Sequence, residues 1–243
     1  CRLAAKAALR IGAGLVSVSS PDDALAIHGA HLTAIMIRKL NELHSDLKNG
    51  RLNAWCIGPA AGTSDLTRNN VIDIILAGKK VVVDADGLSA FEDTPLELFD
   101  AIKSIGNNNC VLTPHSGEFT RLFPYLKILD KVSATRSAAK LSGAVVVYKG
   151  ADTVIAAPDG RTVISNNAPA TLSTAGSGDV LAGLVTGLQA QKMPSFEAAC
   201  AAVWIHSECA NAFGVGLISE DLEKITPKIM TELGTFCRQT ESL

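Results

Sequence analysis

The chain has 243 residues, 47% hydrophobic and 19% charged, with a formal net charge of -2. That length suits one α/β domain, and the near-neutral charge without a long basic run argues against a nucleic-acid partner. Lys, Arg, Asp or Glu interrupts every long apolar stretch, so no membrane partner or membrane-spanning segment is expected.

The sequence opens Cys1-Arg2-Leu3-Ala4-Ala5-Lys6-Ala7-Ala8-Leu9-Arg10, already in helical periodicity. Lys6 and Arg10 deny it the apolar centre of a signal peptide, and a lipid-anchored Cys1 would leave no linker before the fold. The expectation is a chain that starts inside its domain. Gly12-Ala13-Gly14 stops this helix, and short strands are predicted over 15–19, 34–37 and 54–57. Helical spacing over 66–76 precedes a valine-rich strand over 80–84. A helix over 95–105, a strand over 110–113, a helix over 131–141 and a strand over 144–148 continue the alternation. Strands over 153–157 and 162–164 flank Pro158-Asp159-Gly160-Arg161, a hairpin signal. Long helices over 179–191 and 195–213 and a C-terminal helix from about Glu220 complete the chain.

Such alternation predicts an α/β fold with a mostly parallel central sheet, helices on both faces and a single domain over residues 1–243. Only 5% of residues are aromatic, so the core must be mainly Ala, Val, Leu and Ile. Six scattered cysteines (Cys1, Cys56, Cys110, Cys200, Cys209 and Cys237) form no C-x-x-C pair. They read as small hydrophobes in a reduced, cytoplasmic setting, without zinc.

In open α/β sheets, ligands gather beyond the carboxyl ends of the strands, and five segments fall there. Gly58-Pro59-Ala60-Ala61-Gly62 allows close approach of a ligand, or is a plain turn. In Asp84-Ala85-Asp86-Gly87-Leu88, Asp84 and Asp86 can position hydrated magnesium through water, or form an Asx turn. Leu112-Thr113-Pro114-His115-Ser116-Gly117-Glu118-Phe119 puts His115 at a helix mouth that Thr113 or Ser116 can cap, with Glu118 in the first turn. Lys149-Gly150-Ala151-Asp152-Thr153 offers a lysine, backbone and hydroxyl to a phosphate, or is an ordinary hairpin approach. Last comes Thr174-Ala175-Gly176-Ser177-Gly178-Asp179, opening a helix. Its backbone N–H groups can cradle a phosphate, and Asp179 then stands where an attacking hydroxyl would lose its proton. The plain alternative is that Ser177 or Asp179 only caps the helix. Trp204, His206 and Cys209 lie among Ala and Val and read as core, with His206 a satisfied polar residue.

Together these segments resemble the nucleotide-dependent NAD(P)H-hydrate dehydratases of the ribokinase-like superfamily. Ala8-Leu9-Arg10-Ile11-Gly12-Ala13-Gly14-Leu15-Val16, Ala156-Ala157-Pro158-Asp159-Gly160 and Phe196-Glu197-Ala198-Ala199-Cys200-Ala201-Ala202-Val203-Trp204-Ile205-His206 add to the likeness, which runs from about residue 3 to about residue 222. The resemblance implies a repair enzyme that dehydrates (S)-NADHX or (S)-NADPHX to NADH or NADPH at the expense of ADP or ATP, with Mg2+ assisting. It implies nucleotide contacts from Lys149, Gly150, Ala151, Asp152, Thr153, Gly176, Ser177 and Gly178, and substrate contacts from Gly62, His115 and Asp179, with Asp179 as base. An epimerase partner, in some relatives fused N-terminally, and a homo-oligomer follow from the same likeness. The family carries a strand and a glycine-containing loop before its first helix, so the domain here is expected to lack both. Ala60 and Ala61 stand where the family's loop reads Gly-Pro-Gly-Leu-Gly, which predicts an altered loop shape. The rival expectation is a small-molecule kinase of the same superfamily, acting on hydroxymethylpyrimidine, thiazole or pyridoxal; a non-catalytic nucleotide sensor is a third.

Overall fold

A computed structural model describes residues 1–106 and 108–240, and side chains as far as residue 234, so the Cys237 side chain lies outside the described residues. The first part runs α1 (Arg2–Arg10), β1 (Ser17–Ser20), α2 (Leu25–His31), β2 (Met36–Lys39) and α3 (Leu43–Leu47). Then come β3 (Ala54–Ile57), α4 (Asp65–Leu76), β4 (Lys80–Val83), α5 (Asp86–Ser89), α6 (Pro95–Ile105), β5 (Cys110–Leu112), α7 (Ser116–Leu122), α8 (Lys131–Ser142) and β6 (Val145–Tyr148). The chain ends with β7 (Thr153–Ala156), β8 (Thr162–Ser165), α9 (Ser177–Ala190), α10 (Ser195–Phe213) and α11 (Ser219–Thr240). The predicted strand at 15–19 begins later, at Ser17, and the one at 34–37 is shifted to Met36–Lys39. These two pair with each other in a separate parallel ribbon and do not join the main sheet.

The main sheet has six strands in the order β3-β4-β5-β6-β7-β8, parallel through β6 and antiparallel after it. Its strand order never reverses between β3 and β6. Right-handed crossovers taken in one direction must all lie on one face, so α4, α6 and α8 cover that face. The opposite face is left for the later helices α9 and α10.

The valine strands alternate accordingly. Val82, Val111, Val145 and Val147 point to the α9/α10 face, while Val81, Val83, Leu112 and Val146 point to the other. Each face has its own packing chemistry. The α4/α6/α8 face takes the bulk of the aromatics: Phe91, Phe99, Phe119 and Phe123 are fully buried there. Phe99 stacks on Phe123 at 5.1 Å, and Phe119 stacks on Tyr148 at 4.1 Å. The α9 side takes small residues instead. Ala4 and Ala8 of α1 lie so close to α9 that a side chain at Gly183 would collide with the Ala4 backbone, and one at Gly187 with Ala8 and Ile11. The core is therefore aliphatic on one face and phenylalanine-rich on the other.

Replacing Gly183 with Ala should destabilise the protein by about 1–3 kcal/mol, because the methyl has no room unless α1 moves. Urea unfolding should show a lower midpoint with an unchanged slope.

Candidate active site

The loops after β3, β4, β5 and β6 meet the start of α9 above the carboxyl edge of the sheet. The first two interlock backbone to backbone. Gly58, at φ 131°, leaves no room for a side chain against the Asp84 carbonyl, and a Cβ at Gly87 would lie 2.8 Å from the Ile57 carbonyl oxygen. Gly62 N–H donates to Asp86 Oδ2 at 2.9 Å, and no atom lies within 4 Å of where a Gly62 side chain would start, so this turn opens to solvent. Ala60 keeps a left-handed φ of 59°, and Ala85 sits at φ 46°. A non-glycine residue there carries backbone strain on the order of 1 kcal/mol, so the alanine loop retains a glycine-like turn.

Asp84 does not share a position with Asp86. It is 1% exposed, and its Oδ1 accepts hydrogen bonds from Lys149 Nζ at 2.7 Å and Thr113 Oγ1 at 2.7 Å. Lys149 also approaches Glu118 Oε2 at 3.9 Å. A half-buried lysine at the end of β6 is thus held by a carboxylate at the end of β4 and approached by another on α7. No group of three or more His, Cys, Asp or Glu arranged for a metal occurs among the described residues.

The expectation that Thr113 or Ser116 caps α7 is corrected. The cap is His115, whose Nδ1 accepts from the Gly117 and Glu118 N–H groups at 3.0 and 3.2 Å. Glu118 Oε2 returns the bond to the His115 N–H at 2.8 Å, completing a capping box with an imidazole in the usual hydroxyl position. A side chain at Gly117 would lie 2.9 Å from His115 Cε1, so the imidazole would have to shift to admit it. Because Nδ1 accepts, the proton of the neutral ring is on Nε2, which lies 3.4 Å from Glu118 Oε1. Thr113, freed from capping, serves Asp84.

At α9 the plain capping alternative fails. The N-cap is Gly176, at φ 85°, with no side-chain hydrogen bond to the first turn. A Cβ on Gly176 would also lie 2.6 Å from Leu3 Cδ1. The α9 N–H groups are therefore not used by a side-chain cap, at the positive end of a 14-residue helix. A side chain at Gly178 would begin 3.4 Å from Lys149 Nζ and 4.0 Å from Asp84 Oδ2, so the lysine–aspartate pair lies directly beside this turn. Asp179 is half-buried, and burial, more than any charge, raises its pKa. The nearby α-amino group, 3.6 Å from Oδ2, and Lys149 oppose the rise, while Asp84 adds to it. The arrangement suits a carboxylate that takes a proton next to an anion cradle.

Residues 149–153 close on themselves: Thr153 Oγ1 donates to the Gly150 carbonyl at 3.0 Å and accepts from the Gly150 N–H at 3.3 Å. Asp152 is bound by Lys131 Nζ at 2.8 Å, a partner to which no sequence signal points. Of the three α10 residues expected in the core, Cys209 is buried but Trp204 is 40% exposed. His206 is buried, yet its Nε2 has no hydrogen-bond partner, contrary to the satisfied residue expected. Burial depresses its pKa to about 4, against hydrogen bonding to the Ser177 backbone, and Lys149 lowers it further.

A sequence model of the NAD(P)H-hydrate dehydratase family matches residues 1–228. An ADP-dependent (S)-NAD(P)H-hydrate dehydratase of Neisseria meningitidis is 36% identical over 214 residues, 86% of this chain and 71% of that protein. A bifunctional NAD(P)H-hydrate repair enzyme of Salinibacter ruber is 34% identical over 252 residues, 95% of this chain but only 45% of that protein. An ADP/ATP-dependent NAD(P)H-hydrate dehydratase from Bacillus subtilis, co-crystallised with ATP/Mg2+ and soaked with CoA, superposes with a TM-score of 0.76. It covers 95% of this chain and 85% of that one at 22% identity. The ribokinase-like fold expected from the sequence is the fold observed.

Lys149→Met should cost about 3–5 kcal/mol in chemical denaturation, since it leaves Asp84 charged and buried without its cation. Adding Asp84→Asn should recover much of that loss, a coupling that a double-mutant cycle measures. Burial of neutral His206 gives stability that is complete above pH 6.5 and is lost as pH falls toward about 4. The difference in stability between wild type and His206→Phe should shrink over that window by an amount on the order of 3 kcal/mol.

Proposed function

Since the chain belongs to the NAD(P)H-hydrate dehydratase family, we propose that it dehydrates (S)-NADHX or (S)-NADPHX, restoring NADH or NADPH, with ADP or ATP as phosphoryl donor. The observation that carries the reading is the α9 turn free of any side-chain cap, beside Lys149 and ahead of half-buried Asp179. Asp179 takes the proton of the hydrate hydroxyl as that oxygen attacks the terminal phosphorus. The N–H groups around Gly176, Ser177 and Gly178 hold the transferring group, and Lys149 neutralises its charge. Lys149, Gly150, Ala151, Asp152 and Thr153 bind the nucleotide. Gly62 and His115 border the ring of the substrate, with the Nε2 proton of His115 available to it. The phosphorylated carbon–oxygen bond then breaks with help from the ring-nitrogen lone pair, releasing phosphate and leaving an iminium ion, which loses a proton from the adjacent ring carbon to water or the departing phosphate and so reforms the dihydropyridine.

Mg2+ fits this site as a partner of the phosphates. Asp84 Oδ2 is engaged by neither Lys149 nor Thr113 and can hold the hydrated ion, while Asp86 is turned toward Gly62. When bound, the ion supplies charge neutralisation to the phosphates. One domain over residues 1–243 carries the chemistry, and an epimerase acting on the R hydrate, with a homo-oligomeric assembly, completes the reading. No helix among the described residues is long and apolar enough to cross a membrane, and Cys1, Cys56, Cys110, Cys200 and Cys209 are free thiols, which suits a reducing cytoplasm. The kinase alternative has the weaker support, because the family match names the dehydratase.

Mixing hydrated NADH with the protein, magnesium and either nucleotide should restore reduced-nicotinamide absorbance. Asp179→Asn should slow that recovery by about 10²–10⁴-fold. The acid limb of kcat/KM should lie above the ordinary carboxylate range, with activity falling as pH drops through the raised Asp179 pKa. A stable phosphorylated product without nicotinamide recovery would establish the kinase instead.

A further inference from the structure

The turn that opens α9 carries no side-chain cap of its own. The N–H groups of Gly176, Gly178 and Asp179 donate to no acceptor among the described residues. A loop of free donors keeps one shape only if something outside it fixes its peptide planes. That anchor comes from α11. Ser219, the first residue of α11 and 2% exposed, donates its hydroxyl proton to the Ala175 carbonyl at 2.6 Å. A side chain built on Gly176 would begin 3.4 Å from Ser219 Cβ and Oγ and 2.6 Å from Leu3 Cδ1, so α11 and α1 both close on this glycine. The start of α11 is itself tied, because Asp221 Oδ2 accepts from the Ile218 N–H at 3.2 Å.

In a planar trans peptide the carbonyl and the N–H point in opposite directions. Drawing the Ala175 carbonyl to α11 therefore turns the Gly176 N–H away from α11. Resting on the dehydratase reading, we propose that Ser219 is a positioning residue for phosphoryl transfer, holding the Ala175–Gly176 peptide so that the Gly176 N–H stays aimed at the transferring group. Ser219 itself touches no reacting atom. A donor fixed beforehand meets the charge that develops on the transferring oxygens without reorganising. Without the hydroxyl, the freedom of Gly176 allows that peptide to rotate. The Ala175 carbonyl then swings toward the phosphate, where its partial negative charge opposes transfer.

The test replaces Ser219 with Ala, Thr and Val. Thr keeps the hydroxyl and Val has the same shape without it, so their difference isolates the hydrogen bond from packing. Ser219→Ala and Ser219→Val should lower kcat for NADH recovery by about tenfold, with KM for NADHX and for the nucleotide unchanged. Ser219→Thr should keep most of the wild-type kcat. A merely structural role would lower the thermal midpoint and leave kcat per folded molecule intact. In calorimetry, ADP with orthovanadate, a mimic of the transferring group, should bind the Ala and Val variants about tenfold more weakly, and ADP alone equally well. An unchanged kcat in Ser219→Ala, or equal losses in the Thr and Val variants, would overturn the proposal. Should the buried position refuse both branched side chains, Ser219→Ala alone decides it through kcat and orthovanadate binding. The calorimetry needs no hydrated substrate. If the wild type restored no NADH but the Ala variant lost orthovanadate binding, the dehydratase reading would fall while the positioning role stood.

Discussion

The pair between Asp84 and Lys149 organises this molecule. It joins the ends of β4 and β6 across the intervening β5, whose own Thr113 supplies a second donor to the same oxygen. Three strand ends are thereby fixed by one buried carboxylate. Lys149 cannot be removed alone without stranding Asp84, since a lone buried charge costs several kcal/mol. The pair also lies against Gly178, so the Lys149 ammonium is held beside the start of α9 before any ligand arrives. Electrostatic stabilisation of this kind depends on groups that do not reorganise during the reaction.

Topology explains why the Gly176–Gly178 turn comes from the C-terminal part of the chain. With β3 to β6 laid down in order and every crossover on one face, the first half of the domain cannot cover both sides of its sheet. Helices α9 and α10 must return to the bare face, and that return carries the Gly176–Gly178 turn to the strand ends. The small-residue seam between α1 and α9 follows from the same demand. α9 lies between the sheet and α1, so Gly183 and Gly187 allow the two helix backbones to meet. Bulk goes instead to the face covered by α4, α6 and α8, where the phenylalanines fill wider gaps.

Most of this architecture was legible because its signals are local. Valine runs ending in Asp84, Thr113 and Lys149 mark strands entering functional loops, and the bounds 95–105 and 195–213 agree with α6 and α10. The separate β1–β2 ribbon was not, because four-residue strands carry no information about which sheet they join. At the site, residue types near strand ends could be read, but their partners could not. That His115 caps α7 while Thr113 turns inward depends on which side of Pro114 the chain bends, and no periodicity records that. Lys131 is 21 residues from Asp152, and only the fold of α8 against β7 brings them together. The unpartnered Nε2 of His206 was missed for a related reason: Ala and Val neighbours announce burial but say nothing of hydrogen-bond satisfaction.

The balance of charge around α9 bears on the need for a divalent cation. Lys149 is in contact with Asp84 and within 3.9 Å of Glu118, and Asp84 also acts on Asp179. One lysine thus faces several carboxylates before a phosphate enters. Backbone dipoles at the start of α9 offset part of an incoming phosphate's charge, but a nucleotide brings more negative charge than one shared lysine can neutralise. The surplus favours protonation of Asp179, which on the proposed mechanism would have to be ionised to act as base. On the proposed function, a cation held through Asp84 Oδ2 would relieve both conflicts at once: its charge would offset that of the phosphates and lower the cost of ionising Asp179, with Lys149 kept on Asp84 Oδ1. On the function proposed above, Asp84 would be the protein's share of a magnesium–phosphate site and the nucleotide would bring the rest.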